Sequence, residues 1–295
     1  MTKNVLASVF AAARDILRHP LAFALLVALH LALIAACYLF ITTREATVWQ
    51  LALTLAAALG VPLLFFVAGA AGASYAVGER SPALLLKRTA RSFLKVFAVS
   101  IPLVLLAVLS VYLLNKLERR VQLSPEERAR IEYAAASESG DETTASSAEA
   151  RPKPPVRWKY LFVSALRLLV LGVFLPLTAV HLWLAAVRDG LGAAIVRSPR
   201  LIARAFSARS VLTYGVGMIV FALIPYFLIT KRTPVSSNTL ELLIFGARIL
   251  IAFILMLFGW LMTMTALARA EGQPAATDLA PDALHPHGAP ATATS

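Results

Sequence analysis

The chain has 295 residues, of which 59% are hydrophobic and only 15% are charged. A soluble domain is about half apolar and about a quarter charged, so this composition excludes an ordinary soluble protein. The formal net charge of +12 would suit a nucleic-acid partner. The bases lie beside long apolar segments, however, which is typical of membrane topology and of anionic-lipid contact, so we exclude nucleic acid. A single cysteine, Cys37, excludes an intramolecular disulfide and a cysteine-based metal site.

Six apolar segments are each long enough to cross a bilayer, whose core of about 30 Å needs about 20 apolar residues per helix. Their length and the absence of a two-residue alternation predict helices rather than strands. We therefore predict an all-α fold, a polytopic membrane bundle of six transmembrane helices. The predicted spans are residues 21–41, 48–76, 96–114, 161–187, 211–229 and 242–268.

A short basic segment precedes the first, third and fifth spans. Each contains an Ala-Arg pair, beginning at Ala13, Ala90 and Ala203, followed by apolar residues and a further base. Two of the segments contain a Ser-Pro helix-start signal, at Ser81 and Ser198. Apolar and basic residues alternate at helical spacing, which predicts amphipathic helices lying in the membrane interface. The alternative is that these segments simply extend the spans that follow them. The bases predicted to contact anionic lipid are Lys87, Arg88, Arg91, Arg197, Arg200 and Arg204.

The spans also indicate an internal repeat. The fourth and sixth align without a gap over residues 167–188 and 248–269, and each aligned stretch begins and ends with arginine. The proposed unit is a basic amphipathic helix, a span, a loop, a returning span and an acidic residue. Three such units would give a threefold repeat of helical hairpins.

Composition divides the chain into four regions. Residues 1–114 hold the first three membrane helices with their interfacial helices, and residues 159–269 hold the last three with theirs. Between them, residues 115–158 form a predicted external loop, with a short helix starting at Ser124 and then a disordered stretch rich in Ser, Thr, Glu and Pro. Residues 270–295 form a predicted disordered tail, because they have little apolar bulk to bury.

Polar residues inside the spans are the usual candidates for function. Arg167 and Arg248 occupy matched positions about two turns in from the outer face, where they would form an anion or headgroup site. The alternative is that both side chains extend along the helix to the interface. For His30 and His181 we favour interhelical hydrogen bonds over a proton relay. The predicted spans contain no Asp or Glu to pair with these residues.

The sequence lacks the motifs of familiar chemistry. It has no glycine-rich phosphate loop, no His-Glu-x-x-His, no Gly-x-Ser-x-Gly and no intramembrane pair of aspartates. We therefore expect no enzymatic activity, no cofactor and no resident metal. The first functional hypothesis is a non-catalytic membrane protein that acts through lipid or protein contacts. The second is a transporter or flippase for a small or amphiphilic anion.

A basic amphipathic helix, six spans and the sequence Gly-Glu-Arg-Ser-Pro at 78–82 carry a general resemblance to known proteins. Over residues 1–115 and 158–270 the chain resembles uncharacterised bacterial six-span inner-membrane proteins, including the membrane domain that accompanies some glycerophosphodiester phosphodiesterases. The resemblance implies a bacterial inner-membrane location but transfers no catalytic residue, because the phosphodiesterase domain is absent. Mitochondrial carriers also have three two-span repeats, but their Pro-x-Asp/Glu-x-x-Lys/Arg signature is missing here.

The distribution of Lys and Arg predicts the topology. The short connections on one side of the six spans carry only Arg44, Lys231 and Arg232, and the long loop is left out because long loops cross largely regardless of charge. Both termini are therefore expected to be cytoplasmic. The other side carries Lys3, Arg14, Arg18, Arg80, Lys87, Arg88, Arg91, Lys95, Arg188, Arg197, Arg200, Arg204, Arg209 and Arg269.

Reporter fusions test this topology. A reporter placed after Ser295 and one placed within residues 137–150 are expected to report opposite sides of the membrane, because six spans separate the tail from the N-terminus and three separate the loop from it. The paired activities of a periplasmic and a cytoplasmic reporter at each position provide the measurement. Both positions on the same side would contradict the six-span arrangement.

Overall fold

A computed structural model describes residues 2–43, 47–121, 158–231 and 238–272. Nearly all of these residues are helical and none is in a strand, which confirms the all-α prediction for the part of the chain described. The predicted helix and disorder in residues 122–157 and the predicted disordered tail from 273 onward lie outside it. The described helices, numbered in chain order, are α1 (Thr2–Arg18), α2 (Pro20–Thr42), α3 (Val48–Ala76), α4 (Pro82–Val121), α5 (Trp158–Arg167, Leu168–Phe174 and Leu175–Arg188), α6 (Leu191–Val196), α7 (Ser198–Ala205), α8 (Ala208–Met218, Ile219–Leu223 and Ile224–Thr230) and α9 (Asn238–Gly272).

Six of these helices, α2, α3, α4, α5, α8 and α9, are long and apolar enough to cross a membrane. Each contains one of the six predicted spans, so the polytopic prediction is confirmed. The basic lead-in segments differ from one another. α1 is a separate helix that ends before His19, and α6 and α7 are separate short helices. The second segment is continuous with its span in α4, so for residues 82–95 the prediction of a separate helix is wrong.

Neighbouring membrane helices run antiparallel. Trp183 of α5 contacts Ser100 of α4 near one end, and Arg167 contacts Glu118 near the other. Gly217 of α8 likewise lies against Thr263 of α9. We call the end of the bundle that holds Arg18, Arg188 and Arg269 the basic end. The end that holds Thr42 and Thr230 is the loop end.

The two ends of the bundle are packed very differently. At the basic end, Leu177, Val180 and Leu184 of α5 are fully buried against α3 and α9. Small residues of α3 permit this approach: Gly69 lies under the Trp183 ring, and Gly72 lies against Leu261 and Met264 of α9. Toward the loop end the apolar side chains are exposed and available to lipid. The helices therefore converge at the basic end and leave space between them further along.

Two segments of π-helix accompany intramembrane prolines. Leu168–Phe174 in α5 lies just before Pro176, and Ile219–Leu223 in α8 lies just before Pro225. Proline has no N–H to donate to the carbonyl four residues earlier, which for Pro176 is that of Gly172. The Tyr214 hydroxyl donates a hydrogen bond to this Gly172 carbonyl oxygen at 2.7 Å. A neighbouring helix thus satisfies the carbonyl that the proline releases.

Glycine also sets the spacing between α8 and α9. A β-carbon added to Gly217 would overlap Thr263 Oγ1 and would lie 2.9 Å from Thr263 Cβ. A β-carbon added to Gly259 would lie 2.8 Å from the Phe221 backbone nitrogen. Real atoms do not approach this closely, so the α8 backbone lies directly against the Thr263 side chain at Gly217, and the α9 backbone lies directly against the α8 backbone at Gly259.

A glycine-to-alanine pair in α8 tests this packing. Gly217→Ala is expected to destabilise the protein by about 1–3 kcal/mol, because α8 and α9 must move apart. Gly215→Ala is the matched control, since nothing lies within 4 Å of its added β-carbon. The control is expected to be neutral or to stabilise by up to about 1 kcal/mol through helix propensity. Melting temperatures in detergent give the comparison, and equal values for the two variants would refute the close contact.

Candidate functional site

The helix α1 has an apolar surface wider than its contact with the protein. Val5, Val9, Ala12 and Ile16 form a buried stripe on α1, which packs against α9, α8 and α2. A second apolar stripe, next to the first, consists of Leu6, Phe10 and Leu17, and these side chains are exposed. One apolar face of α1 therefore belongs to the bundle core, and the adjoining face is available to lipid.

Asp15 of α1 is the centre of an ion-pair cluster at the basic end. Its Oδ2 atom lies 2.5 Å from Arg80 Nη2, in the turn before α4, and 2.9 Å from Arg269 Nη2, near the end of α9. The Arg80 guanidinium also lies over the Tyr75 ring, 4.0 Å from its centroid, and donates a hydrogen bond to the Tyr75 carbonyl. We call Asp15, Arg80 and Arg269 the Asp15 cluster. It joins the first helix to the turn between α3 and α4 and to the last helix.

The charge environment of Asp15 favours its ionised form. Burial alone would raise its pKa, since only 16% of the side chain is exposed. The hydrogen bond from Arg80 and the charges of Arg80, Arg269 and His19 outweigh burial and hold the pKa of Asp15 below the usual 3.8. The carboxylate is therefore charged at neutral pH and neutralises part of the excess of bases at this end.

Sequence reasoning missed this cluster. Arg80 entered the sequence analysis only through the Gly-Glu-Arg-Ser-Pro sequence and the count of bases, and Arg269 only through the repeat and the same count. One signal was present, because Asp15 is the only acidic residue among the first 40. A lone carboxylate within a basic amphipathic segment is a candidate for a long-range ion pair, but its partners lie 65 and 254 residues away in sequence.

A basic groove follows α4 at the same end of the bundle. Its volume is about 400 Å³, and its cationic lining consists of Lys87, Arg88, Arg91 and Lys95. These positions share a helix face, because they are spaced by three, four and seven or eight residues. We call this the α4 groove. It brings together three predicted lipid-contact residues and adds Lys95, which the prediction left out. Among the residues that the structure describes, none of these four bases forms an ion pair with a carboxylate, although Glu79 also lines the groove.

The second predicted set of lipid-contact bases lies on α7 and at the residue just before it. Leu201 and Ala205 are buried on the inner face of α7, whereas Arg200 and Arg204 are exposed on the outer face. Arg197, just before α7, pairs with Asp189 at 3.2 Å between Nη1 and Oδ2. α7 therefore presents bases at the surface, but they do not line the α4 groove.

The predicted anion-site residues Arg167 and Arg248 each contact their own hairpin partner. Arg167 Nη1 lies 3.3 Å from Glu118 Oε2 of α4, and Arg248 donates a hydrogen bond to the Lys231 carbonyl at the end of α8. Glu118 is available because α4 continues beyond the predicted end of its span at residue 114. A cavity of about 440 Å³ beside Arg167 is lined in part by Glu118 and Ser164 but not by Arg248. The two arginines therefore do not share a cavity.

One of the two intramembrane histidines, His30, differs from expectation. His30 Nδ1 lies 2.8 Å from the Leu26 carbonyl oxygen of its own helix, so the predicted interhelical bond is wrong for this nitrogen. His181 is buried within α5. In the described residues, no three side chains of His, Cys, Asp or Glu come together in a way that would hold a metal ion.

Comparison with known protein families, with curated proteins and with solved structures finds no match to this chain. The geometry therefore carries the functional argument. Two arrangements are candidates for a functional site. One is the cationic α4 groove, and the other is the Asp15 cluster, which joins α1 to the turn before α4 and to α9.

Neutralising Asp15 tests the role of the cluster. Asp15→Asn is expected to destabilise the protein by about 1–3 kcal/mol, because two arginines lose their carboxylate. Glu118→Gln is the control; its partner Arg167 is 48% exposed, so about 0–1 kcal/mol is expected. Melting temperatures in detergent provide the comparison.

The same variant has a pH signature. A carboxyl whose folded pKa is lowered contributes stability that is complete above its unfolded value and is lost as the pH falls through the folded value. The stability difference between wild type and Asp15→Asn should thus be constant from neutral pH down to about 5 and should shrink below the usual pKa of 3.8. A difference that is unchanged below pH 3 would show that Asp15 contributes through packing and not through charge.

Proposed function

We propose that this protein binds the headgroup of an anionic membrane lipid in the α4 groove and acts through lipid or protein contacts rather than through catalysis. The observation that carries the proposal is the convergence of Lys87, Arg88, Arg91 and Lys95 on one groove of about 400 Å³. In the described residues none of these four forms an ion pair with a carboxylate, so their charges are available to a ligand.

The chemistry of the groove suits a phosphate. Arginine presents a planar fork that binds phosphate oxygens in a bidentate manner, and lysine adds a compact point charge. Leu84 and Val187 supply apolar wall beside the cations. A ligand with a charged head and an apolar body matches this mixture better than a free inorganic anion does.

The position of the groove fits the membrane interface. It lies at the basic end, where the exposed stripe of α1 and the exposed arginines of α7 also lie. The excess of Lys and Arg at this end supports placing it at the cytoplasmic leaflet of a bacterial inner membrane. Each base near an anionic surface contributes about 1 kcal/mol, so several acting together support stable lipid contact.

Movement of an amphiphilic anion between leaflets is the second candidate function. The observation that favours it is a cavity of about 480 Å³ within the membrane-spanning part of the bundle, lined by His30 and Tyr214 among others. The cavity is bounded mainly by aromatic and aliphatic side chains, which favours binding of an apolar group over passage of a charged one. Lipid binding at the groove is therefore the first candidate.

Charge-neutral variants at the two ends of α4 test the proposal. Changing Lys87, Arg88 and Arg91 to Gln together is expected to weaken binding of anionic lipid roughly 100-fold, since about 1 kcal/mol is lost per base. The control changes Lys116, Arg119 and Arg120 to Gln, which removes the same charge from the same helix at the loop end. Affinity for phosphatidylglycerol is measured by native mass spectrometry after reconstitution in nanodiscs of zwitterionic lipid.

Further outcomes separate the groove from the rest of the basic surface. Adding Arg197→Gln, Arg200→Gln and Arg204→Gln should reduce lipid retention further but with a smaller step, because these bases lie outside the groove. Equal retention by the groove variant and the loop-end control would contradict specific headgroup binding. Dye-labelled phosphatidylglycerol in liposomes that contain the protein reports leaflet exchange, which the second candidate requires and the first does not.

A further inference from the structure

The cavity inside the bundle lies where the membrane helices diverge from their contacts at the basic end. Helices α2, α3, α4, α5, α8 and α9 all contribute to its wall, and its volume is about 480 Å³. That volume lies within the range of about 300–1,000 Å³ typical of small-molecule sites. Its aromatic wall consists of Phe65, Phe66, Trp183, Tyr214, Phe221 and Trp260.

Irregular helix geometry forms part of this wall. Leu175 and Pro176 line the cavity directly after the π segment of α5, and Phe221 lines it from within the π segment of α8. Such π segments are rare and occur frequently at functional sites. One π segment lines the cavity and the other ends directly beside it, which indicates a built space and not a random packing defect.

The hydrogen-bond donors on this wall are largely satisfied within the protein. Trp183 Nε1–H donates to Ser100 Oγ at 2.8 Å, and the Ser100 hydroxyl donates to the Val96 carbonyl at 2.6 Å. The Tyr214 hydroxyl donates to the Gly172 carbonyl. Each of these groups has thus committed its proton to a protein acceptor.

His30 provides a hydrogen-bond acceptor, whereas the groups just described are donors. A carbonyl oxygen only accepts hydrogen bonds, so the 2.8 Å contact with the Leu26 carbonyl places the proton on His30 Nδ1. In the neutral imidazole Nε2 is then an acceptor. None of the residues lining the cavity is Lys, Arg, Asp or Glu, so a neutral ligand is favoured.

We infer that the cavity binds a neutral lipid that carries a free hydroxyl group, with the hydroxyl donating to His30 Nε2 and the apolar body lying against the aromatic wall. The ligand differs from that of the α4 groove in charge and in position along the bundle. The inference does not depend on anionic-lipid binding, so variants of the groove leave it unchanged.

Tryptophan quenching provides a direct measurement. The chain has four tryptophans, of which Trp183 and Trp260 line the cavity, whereas Trp49 and Trp158 are exposed at the loop end. In a Trp49→Phe, Trp158→Phe background all tryptophan emission therefore comes from the cavity wall. The probes are dibromostearyl alcohol and its methyl ether, which has the same chain but no hydrogen-bond donor, each titrated into nanodiscs of unbrominated lipid.

The alcohol is expected to quench saturably and to bind about fivefold to tenfold more tightly than the ether, as one added hydrogen bond predicts. His30→Leu should abolish this difference, because leucine offers no acceptor to the hydroxyl of the alcohol. Binding of the ether then also shows that the variant is folded. Any difference in depth between the two probes in bulk lipid would persist in His30→Leu, so loss of the difference is specific to the histidine.

Neighbouring positions on α4 supply the control for the cavity itself. Ala107→Phe places a ring into the cavity and should abolish saturable quenching by both probes, whereas Val108→Phe, at an exposed position, should leave it unchanged. Equal affinity for alcohol and ether in the parent background would overturn the assignment of a hydroxyl-bearing ligand. Quenching that is unaffected by Ala107→Phe would show partition into bulk lipid only and would overturn the site.

Discussion

The close packing of helices at the basic end is the constraint on which the rest of the structure depends. Lipid supplies no hydrophobic force to drive apolar helices together, so contact relies on small residues and on satisfied polar groups. Gly69 and Gly72 of α3 accept large side chains from α5 and α9, while Gly217 and Gly259 let α8 and α9 touch. Because the helices converge at one end, they separate further along, and the cavity lies in that space.

The distribution of polar groups follows the same division. At the basic end, charges are paired in the Asp15 cluster or face outward in the α4 groove, where headgroups and water reach them. Deeper in the bundle, Trp183, Ser100 and Tyr214 are satisfied by hydrogen bonds, since an unpaired donor in hydrocarbon is costly. The molecule thus has a groove lined by bases and a cavity without charged lining residues at two different levels of the bundle.

Hydropathy was sufficient to predict the six membrane helices, because the property is local and each apolar run exceeds the bilayer thickness. It was not sufficient to predict that α4 is one helix over Pro82–Val121, since a continuous helix and a helix with a break at residue 95 have the same composition. This continuity has a consequence for the candidate site. It places Glu118 beside Arg167, so one of the two arginines of the predicted anion site pairs with a carboxylate of its hairpin partner.

A candidate site could be predicted from the sequence when its residues lie close together along the chain. Lys87, Arg88 and Arg91 fall on one helix face and were identified from spacing alone. The Asp15 cluster and the cavity require the positions of helices distant in sequence, which no local pattern encodes. His30 was recognised from the sequence as a polar residue within a span. The sequence does not show which of its two ring nitrogens contacts the Leu26 carbonyl oxygen of its own helix.

The pairing of Asp15 with Arg269 also has a consequence for biogenesis. These residues are 254 positions apart, so the first helix cannot make its contact with the last until the ribosome has released almost the whole membrane domain. During synthesis α1 is not yet packed against α9, and Val5, Val9 and Ile16 lack the α9 side chains that later cover them. Docking of α1 onto α9 is therefore a late event of assembly. In a chain truncated before its final helix, α1 lacks this contact, so an α1 that is not packed against α9 distinguishes the incomplete product from the complete one.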